Sequence, residues 1–340
     1  MFIKIYLIYL AVISLLAIIL TARDKRAARD NSRRVKERAL LFVSLIGGAA
    51  AMFLTMLAIR HKTSRAKFMI TLPLIVLVQV MLVICVFNHS LSVSHYNIDT
   101  EKISGSVVFA LVTDLHSCDY GRGQIRLLEA IDREAPDAVL LAGDIFDDEL
   151  PPGNAIDFIA GVAGKYPCYY VSGNHEFWSG EADNFKNILA SYGVKVLSGT
   201  TEFLEVRGEI IEIRGIDDPD TDRYASRALS YAEQKVNLGQ TKDKDIYTIL
   251  LSHRPERIKE LLPLEPDLVV SGHAHGGQWR IPIILRNGLL APNQGWFPKY
   301  TNGKYFFEDT ELIVSRGLAK ESTGVPRAFN RPEIVIITLE

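Results

Sequence analysis

Hydrophobic positions fall into two regimes along the chain. The first third carries long apolar runs: residues 2–20 hold only Lys4, residues 39–59 hold no charge, and residues 68–87 hold none, with Pro73 and Gln79 interrupting the last. Each run is long enough to cross a hydrocarbon core of about 30 Å as a helix. The pattern therefore predicts an all-α transmembrane region of three helices over residues 1–88. A cleaved leader fits the first run poorly, because no small-residue cleavage site follows it and the basic residues come after it rather than before. A polar linker over residues 89–106 comes next, and beyond it the apolar runs shorten. Residues 107–112, 138–142 and 168–171 read as buried strands. Between and after them, residues 123–134, 154–162 and 181–192 show near-helical apolar spacing. Strand signals at 194–197, 202–206 and 209–214 follow closely and suggest antiparallel pairing. A helix is expected over 224–236, then strands at 246–251, 268–270, 312–314 and 334–339. Strands alternate with helices early and cluster late, which predicts a layered α/β sandwich over residues 107–340.

Charge sharpens this division. The whole chain has 38 Lys and Arg against 40 Asp and Glu, a net charge of -2. Residues 1–90 hold 13 basic and 3 acidic residues, a net +10, which leaves a net -12 for the remainder. An acidic soluble portion has no basic stripe to displace phosphate counterions, so no nucleic-acid partner is expected. With 48% hydrophobic residues and three Cys, the chain is neither disordered nor a disulfide scaffold. Cys85, Cys118 and Cys168 read as buried thiols. If all three runs span, the loops at 21–38 and 60–67 lie on opposite faces. Placing the first loop inside gives 9 Lys and Arg against 5, counting Lys102 and Lys4. That count favours a cytoplasmic C-terminal domain. A re-entrant middle segment would put both loops on one face and reverse the conclusion.

Each early strand signal ends in a short polar signature. These are Asp114-x-His116, then Gly143-Asp144-x-x-Asp147, then Gly173-Asn174-His175-Glu176; His253 and Gly272-His273-x-His275 follow the later strands. In open α/β sheets, ligands bind at the carboxyl ends of strands, so these loops are expected to converge. Five of the eight His lie in these motifs, and no His after residue 96 lies outside them. Carboxylate and imidazole donors without Cys suit a pair of divalent cations such as Mn, Fe, Zn or Ni, and argue against a structural zinc site.

The five signatures, in this order and spacing, resemble the calcineurin-like metallophosphoesterase family over residues 107–339. The resemblance implies that Asp114, His116 and His275 hold one metal. It further implies that Asn174, His253 and His273 hold a second, that Asp144 bridges both, and that His175 contacts the phosphoryl group and assists the leaving oxygen. Asp147 reads as a carboxylate supporting or capping its loop rather than as a ligand. Gly215-Ile216-Asp217-Asp218-Pro219, Gly276-Gly277-Gln278, Ser315-Arg316-Gly317 and Arg331-Pro332-Glu333 further resemble a membrane-associated subgroup. Some enzymes similar to that subgroup cleave lipid-linked phosphoesters or pyrophosphates.

Residues 1–88 separately resemble a small, functionally uncharacterised bacterial membrane-protein family. The resemblance rests on Asp24-Lys25-Arg26, on the run from Arg34 to Leu41, on Gly47-Gly48 and on Arg60-His61-Lys62-Thr63. His61 reads as a solvated residue at the membrane interface.

The expected function is that of a multi-pass, membrane-tethered dinuclear-metal phosphoester hydrolase whose substrate is a phosphoester, lipid-linked in one version. Two dications a few Å apart lower the pKa of a bridging water, and the hydroxide attacks phosphorus in line. The alternative is a membrane signalling or transport-associated module in which the phosphoesterase domain is regulatory or acts on a soluble phosphoester. The spans lack a buried charge, the usual marker of an ion pathway. One apolar stretch has two readings: residues 279–285, Leu289-Leu290 and residues 296–300 are either ordinary core and loop packing or an apolar lip that faces the bilayer.

Overall fold

The two hydrophobic regimes fold into separate units, Met1–Phe87 and Asn88–Glu340, in a computed structural model that describes residues 2–224, 228–320 and 325–340. In the first unit, α1 (Phe2–Arg29) and α4 (Ala66–Val86) are continuous helices. The middle apolar segment is broken. It consists of α2 (Glu37–Val43) and α3 (Ala49–Ala58), joined through Ser44–Gly48. Ile46 leaves the helical region there and Gly47 adopts φ 118°, a conformation open to a residue without Cβ. By length and composition all three segments remain apolar enough to cross a membrane. Leu40, Met52, Met56, Phe68 and Leu72 pack with Ala17 into a buried cluster, while outward side chains such as Ile8 and Leu74 are exposed.

His61 departs from its expected place. It is 5% exposed, and its Nε2 lies 2.7 Å from Asp24 Oδ2. Lys62 Nζ approaches the same oxygen at 2.8 Å, and Val35 N donates to Asp24 Oδ1 at 3.1 Å. Asp24 is 37 residues before His61, so no local pattern around His61 discloses its partner.

The second unit contains fourteen strands among the described residues. They are β1 (Ser92–Ile98), β2 (Val107–Val112), β3 (Ala138–Ala142), β4 (Cys168–Val171), β5 (Lys195–Val196), β6 (Thr200–Val206), β7 (Glu209–Ile216) and β8 (Tyr247–Ser252). After them come β9 (Leu268–Ser271), β10 (Leu290–Ala291), β11 (Gly295–Trp296), β12 (Gly303–Phe307), β13 (Thr310–Val314) and β14 (Glu333–Leu339). One sheet has the order β1-β14-β2-β3-β4-β5 and the other β12-β13-β9-β8-β7-β6. Phe109, Leu111 and Leu140 of the first sheet meet Ile213, Ile249, Leu251 and Val270 of the second in a shared core. The alternate residues Ala110, Val112, Val139 and Leu141 point the other way. They pack under α5 (Ile125–Glu134), α6 (Gly153–Ala163) and, beyond the short helix α7 (Asn174–Trp178), α8 (Ala182–Ser191). Both faces of these strands are covered, which is why they read as continuous apolar runs rather than alternating ones.

Strands β2 to β5 run parallel, as do β7, β8, β9 and β13, so their carboxyl ends and following loops gather at one edge. Two sequence expectations need correction. Residues 92–98 are not linker: β1 pairs in parallel with β14, Ser92 opposite Glu333, some 240 residues away. Its polar side chains suit an edge strand and hide it from a reading of hydrophobic runs. The helix expected over 224–236 begins only at Tyr231, where Ser230 and Glu233 form a reciprocal capping box. Residues 225–227 of that expectation lie outside the described residues.

Candidate metal centre

The strand-end motifs converge as their positions imply. Asp114, His116, Asp144, Asn174, His253, His273 and His275 are all buried at the carboxyl edge of the two sheets. Ligand atoms of Asp114, His116, Asp144 and His275 lie within 4.8 Å of one another, and so do those of Asp144, His253 and His273. Asp144 belongs to both groups. Its Oδ2 is 3.0 Å from His253 Nε2 and 3.6 Å from His116 Nε2, and His275 Nε2 is 3.6 Å from Asp114 Oδ1. Five of the seven residues have a left-handed backbone: Asp114, His116, Asp144, His273 and His275, with φ between 46° and 65°. Such conformations cost of order 1–3 kcal/mol each and persist where the surroundings over-determine them. Here the surroundings include Gly173 and Gly272, where any Cβ would collide with the Asp144 and Asp114 carboxylates respectively.

Among these seven residues, Asp114 Oδ2, His116 Nε2 and Asn174 Oδ1 are buried without a hydrogen-bond partner, and Asp144 Oδ2 faces only the His253 and His116 rings. Buried polar groups are rarely left unsatisfied, and each costs about 1–3 kcal/mol when they are. Orphaned lone pairs of carboxylate, amide and imidazole type, converging around one shared carboxylate, fit divalent cations. The cluster can hold two.

Electrostatics agree. Burial keeps His273 and His275 far below the usual imidazole range and thus neutral, the form that ligates. At Asp144 burial favours the acid, but His253, His175 and His116 outweigh it and hold the carboxyl well below its ordinary value. His253 shows the same balance from the cationic side. Burial opposes its charge, yet Asp144 and Asp114 raise it to about 10, so a cation entering here displaces a proton.

The supporting contacts fix each ring and loop. His253 Nδ1 donates to Ala142 O at 2.8 Å, leaving Nε2 to face Asp144. His116 Nδ1 is 2.7 Å from Asp147 Oδ1, while Asp147 Oδ2 accepts from Glu149 N and Leu150 N. Asp147 therefore orients a ring and caps its own loop. Arg254 clamps Asp218 through Nε and Nη2 at 2.6 and 2.8 Å, which gives the Asp217-Asp218 motif a supporting role beside His253. His175 lies on the wall of the cleft, edge-on to His116 at 4.3 Å between ring centroids.

Three participants are given no role by the sequence. Glu176, at the third position of α7, accepts backbone N–H groups from Asp144, Ile145, Phe146 and Gly173 and so shapes the Asp144 loop. Burial, then the Asp144 carboxylate, push its carboxyl up to about 7 against those donors. Asp148 Oδ1 is 2.5 Å from His175 Nδ1; adjacent acids at 147 and 148 give no clue to which serves which ring. Asn293, in the β10–β11 turn, lies 2.9 Å from His273 Nε2 and ties that hairpin to the centre. The cleft above these residues, about 340 Å³, is lined partly by apolar side chains: Trp178, Leu290, Ala291, Pro292 and Val325.

A family model described as calcineurin-like phosphoesterase matches residues 107–277, and one described as a protein of unknown function (DUF1294) matches residues 14–68. An uncharacterized metallophosphoesterase of Aquifex aeolicus is 30% identical over 74% of this chain and 93% of its own length. A transmembrane protein with metallophosphoesterase domain from Danio rerio is 29% identical over 71% of this chain, which spans 54% of that relative. Among solved structures, NAD nucleotidase of Haemophilus influenzae aligns at 18% identity with a TM-score of 0.46, over 64% of this chain and 46% of that one.

Because both ligand groups share Asp144, Asp144→Asn is expected to abolish hydrolysis of an aryl phosphate and to strip bound metal while leaving the circular dichroism spectrum unchanged. Metal content and turnover close to wild type would contradict the shared-ligand arrangement.

Proposed function

Since the chain belongs to the calcineurin-like phosphoesterase family, we propose that it is a membrane-tethered hydrolase of phosphoesters carried by membrane lipids, dependent on two divalent cations. In this reading Asp114, His116 and His275 hold one cation, Asn174, His253 and His273 the other, and Asp144 contributes to both. When bound, such a pair activates water and neutralises charge on the phosphoryl oxygens. The protein's own part is placement and proton delivery. Glu176 fixes the loop from which Asp144 projects, Asp147 and the Ala142 carbonyl set the His116 and His253 rings, and Asp148 engages His175 Nδ1. That contact leaves Nε2 of His175 to protonate the leaving oxygen. Burial disfavours charge on His175, but Asp144, Asp148 and Asp147 outweigh it and raise its pKa, which suits a proton donor.

The observation that supports a lipid substrate is where the catalytic unit's first strand begins. β1 is parallel to β14, and β14 is antiparallel to β2, so Ser92 sits at the edge from which Asp114 projects. Ser92 N donates to Pro332 O at 2.9 Å, and next to it Glu333 N donates to Gly317 O at 3.1 Å; Gly317 packs against the Asp114 carboxylate. Arg331 holds the incoming chain through Ser90 O and Leu91 O. Only residues 87–91 lie between α4 and β1, and five residues reach at most about 17 Å. With α4 embedded, only this short stretch of chain separates the bilayer from the first strand of the catalytic unit.

Apolar loop tips flank that edge and are not core. Ile283 and Ile284 are 83% and 81% exposed, and Trp296 and Phe297 are 68% and 70% exposed. Trp296 pairs with Leu290, which lines the cleft, and the turn between them carries Asn293. Exposed aromatic and aliphatic residues of this kind suit an interfacial contact.

Two outcomes test the reading. His175→Ala is expected to retain its metal content but lose turnover by roughly 10²–10⁴-fold; loss of a metal ion would make His175 a ligand instead. Ile284→Ser and Trp296→Ala are expected to impair hydrolysis of a lipid phosphoester in vesicles and spare an aryl phosphate. Equal loss on both substrates would remove the lipid assignment and leave the hydrolase intact.

A further inference from the structure

We infer that the N-terminal unit crosses the membrane twice rather than three times, and that the metal centre faces the side opposite the cytoplasm. This rests on the embedded reading of α1 and α4 above and is independent of the hydrolytic chemistry. A straight helix over residues 37–58 would separate its flanking residues by more than about 30 Å. Instead Glu37, at its start, lies 3.0 Å from Arg65 Nη1, 2.9 Å from Lys67 Nζ and 3.9 Å from Lys62 Nζ, all beyond its end. Asp24 closes the same mouth by holding Val35 N on the entering side and His61 and Lys62 on the leaving side. Lys25 Nζ adds a bond to Arg60 O at 3.1 Å. The segment therefore enters and leaves at one end of the unit. Its arms, seven and ten residues long, rise about 10 and 15 Å, well short of a 30 Å core.

The tip of this hairpin is built for an apolar medium. Breaking a helix there frees backbone carbonyls that hydrocarbon cannot satisfy, so such breaks survive only where protein groups replace the lost bonds. Gln79 Nε2, from α4, donates to Ser44 O at 2.8 Å and to Leu45 O at 3.0 Å. Tyr9, from α1, donates its hydroxyl to Ile46 O at 2.5 Å. Ser44 Oγ contacts Met52 Sδ across the two arms at 3.3 Å. The polar Gln79 that interrupts the third apolar run thus has a partner in the second.

The topology decides the side. With three spans the basic residues divide 9 to 5; with a re-entrant hairpin both basic loops share one face. They then hold 12 Lys and Arg, against Lys4 and Lys102 on the other. The positive-inside bias puts those loops in the cytoplasm. The N-terminus and, after α4, the catalytic unit then lie on the far side. The substrate becomes a phosphoester displayed on that face, such as a headgroup of the outer leaflet, and cytosolic nucleotides are excluded.

Membrane-impermeant maleimide labelling of intact cells tests this on the full chain in a Cys85→Ser background, since Cys118 and Cys168 are buried. Three exposed positions serve as reporters: Ser32→Cys, Ser64→Cys and Lys242→Cys. Lys242→Cys is expected to label in intact cells, and Ser32→Cys and Ser64→Cys only after permeabilisation. Opposite behaviour of Ser32→Cys and Ser64→Cys would restore three spans. Labelling of both loop positions but not of Lys242→Cys would overturn the side. Neither result reads hydrolysis, so failure here leaves the hydrolase assignment standing.

Discussion

Asp144 is the group around which the catalytic unit is arranged, because two sets of lone pairs converge on its one carboxylate. The constraint is severe: the carboxylate is buried, its backbone is left-handed, and its Oδ2 faces only the rings of other candidate ligands. Taken singly, these features destabilise the fold. They persist because strands from both sheets end at the same edge, and because Glu176 gathers four backbone N–H groups beneath the Asp144 loop. The apolar core shared by the sheets supplies the rigidity. Strands covered on both faces leave their carboxyl ends little freedom, so a loop of one or two residues beyond each strand can hold a side chain in place.

What the sequence discloses follows from how local each signal is. Strands β2, β3 and β4 are short apolar runs closed by Asp, Asn or His, so strand and candidate ligand are visible together. The supporting partners are different. Asp148 and Asn293 acquire meaning only through rings far away in sequence, His175 and His273, and a lone acid or a turn Asn carries no mark of that. Strand β1 is polar because it is an edge, so hydrophobic pattern passes over it. The membrane unit shows the same limit. Composition finds three apolar segments, but the turn at Gly47 depends on Gln79 and Tyr9, and the closed mouth depends on Asp24 meeting His61.

The two units solve related problems with opposite means. In the catalytic unit, buried polar atoms left without donors create a demand that cations meet. In the membrane unit, the carbonyls freed at the hairpin tip are met by side chains of the flanking helices, and the one buried acid is surrounded by His61, Lys62 and Arg34. The first arrangement is poised to bind; the second is closed on itself. That contrast places the candidate chemistry at the edge around Asp144, and the proposal above gives the helices the task of anchoring it.

The central claim is that two cations share Asp144, and the metal content of the purified full-length chain tests it most directly. After loading with Mn²⁺ and removal of excess ion, elemental analysis is predicted to give two metal ions per chain, with hydrolytic activity lost and regained in step with that content. A content of one ion per chain at full activity, or activity that survives complete removal of metal, would contradict the account.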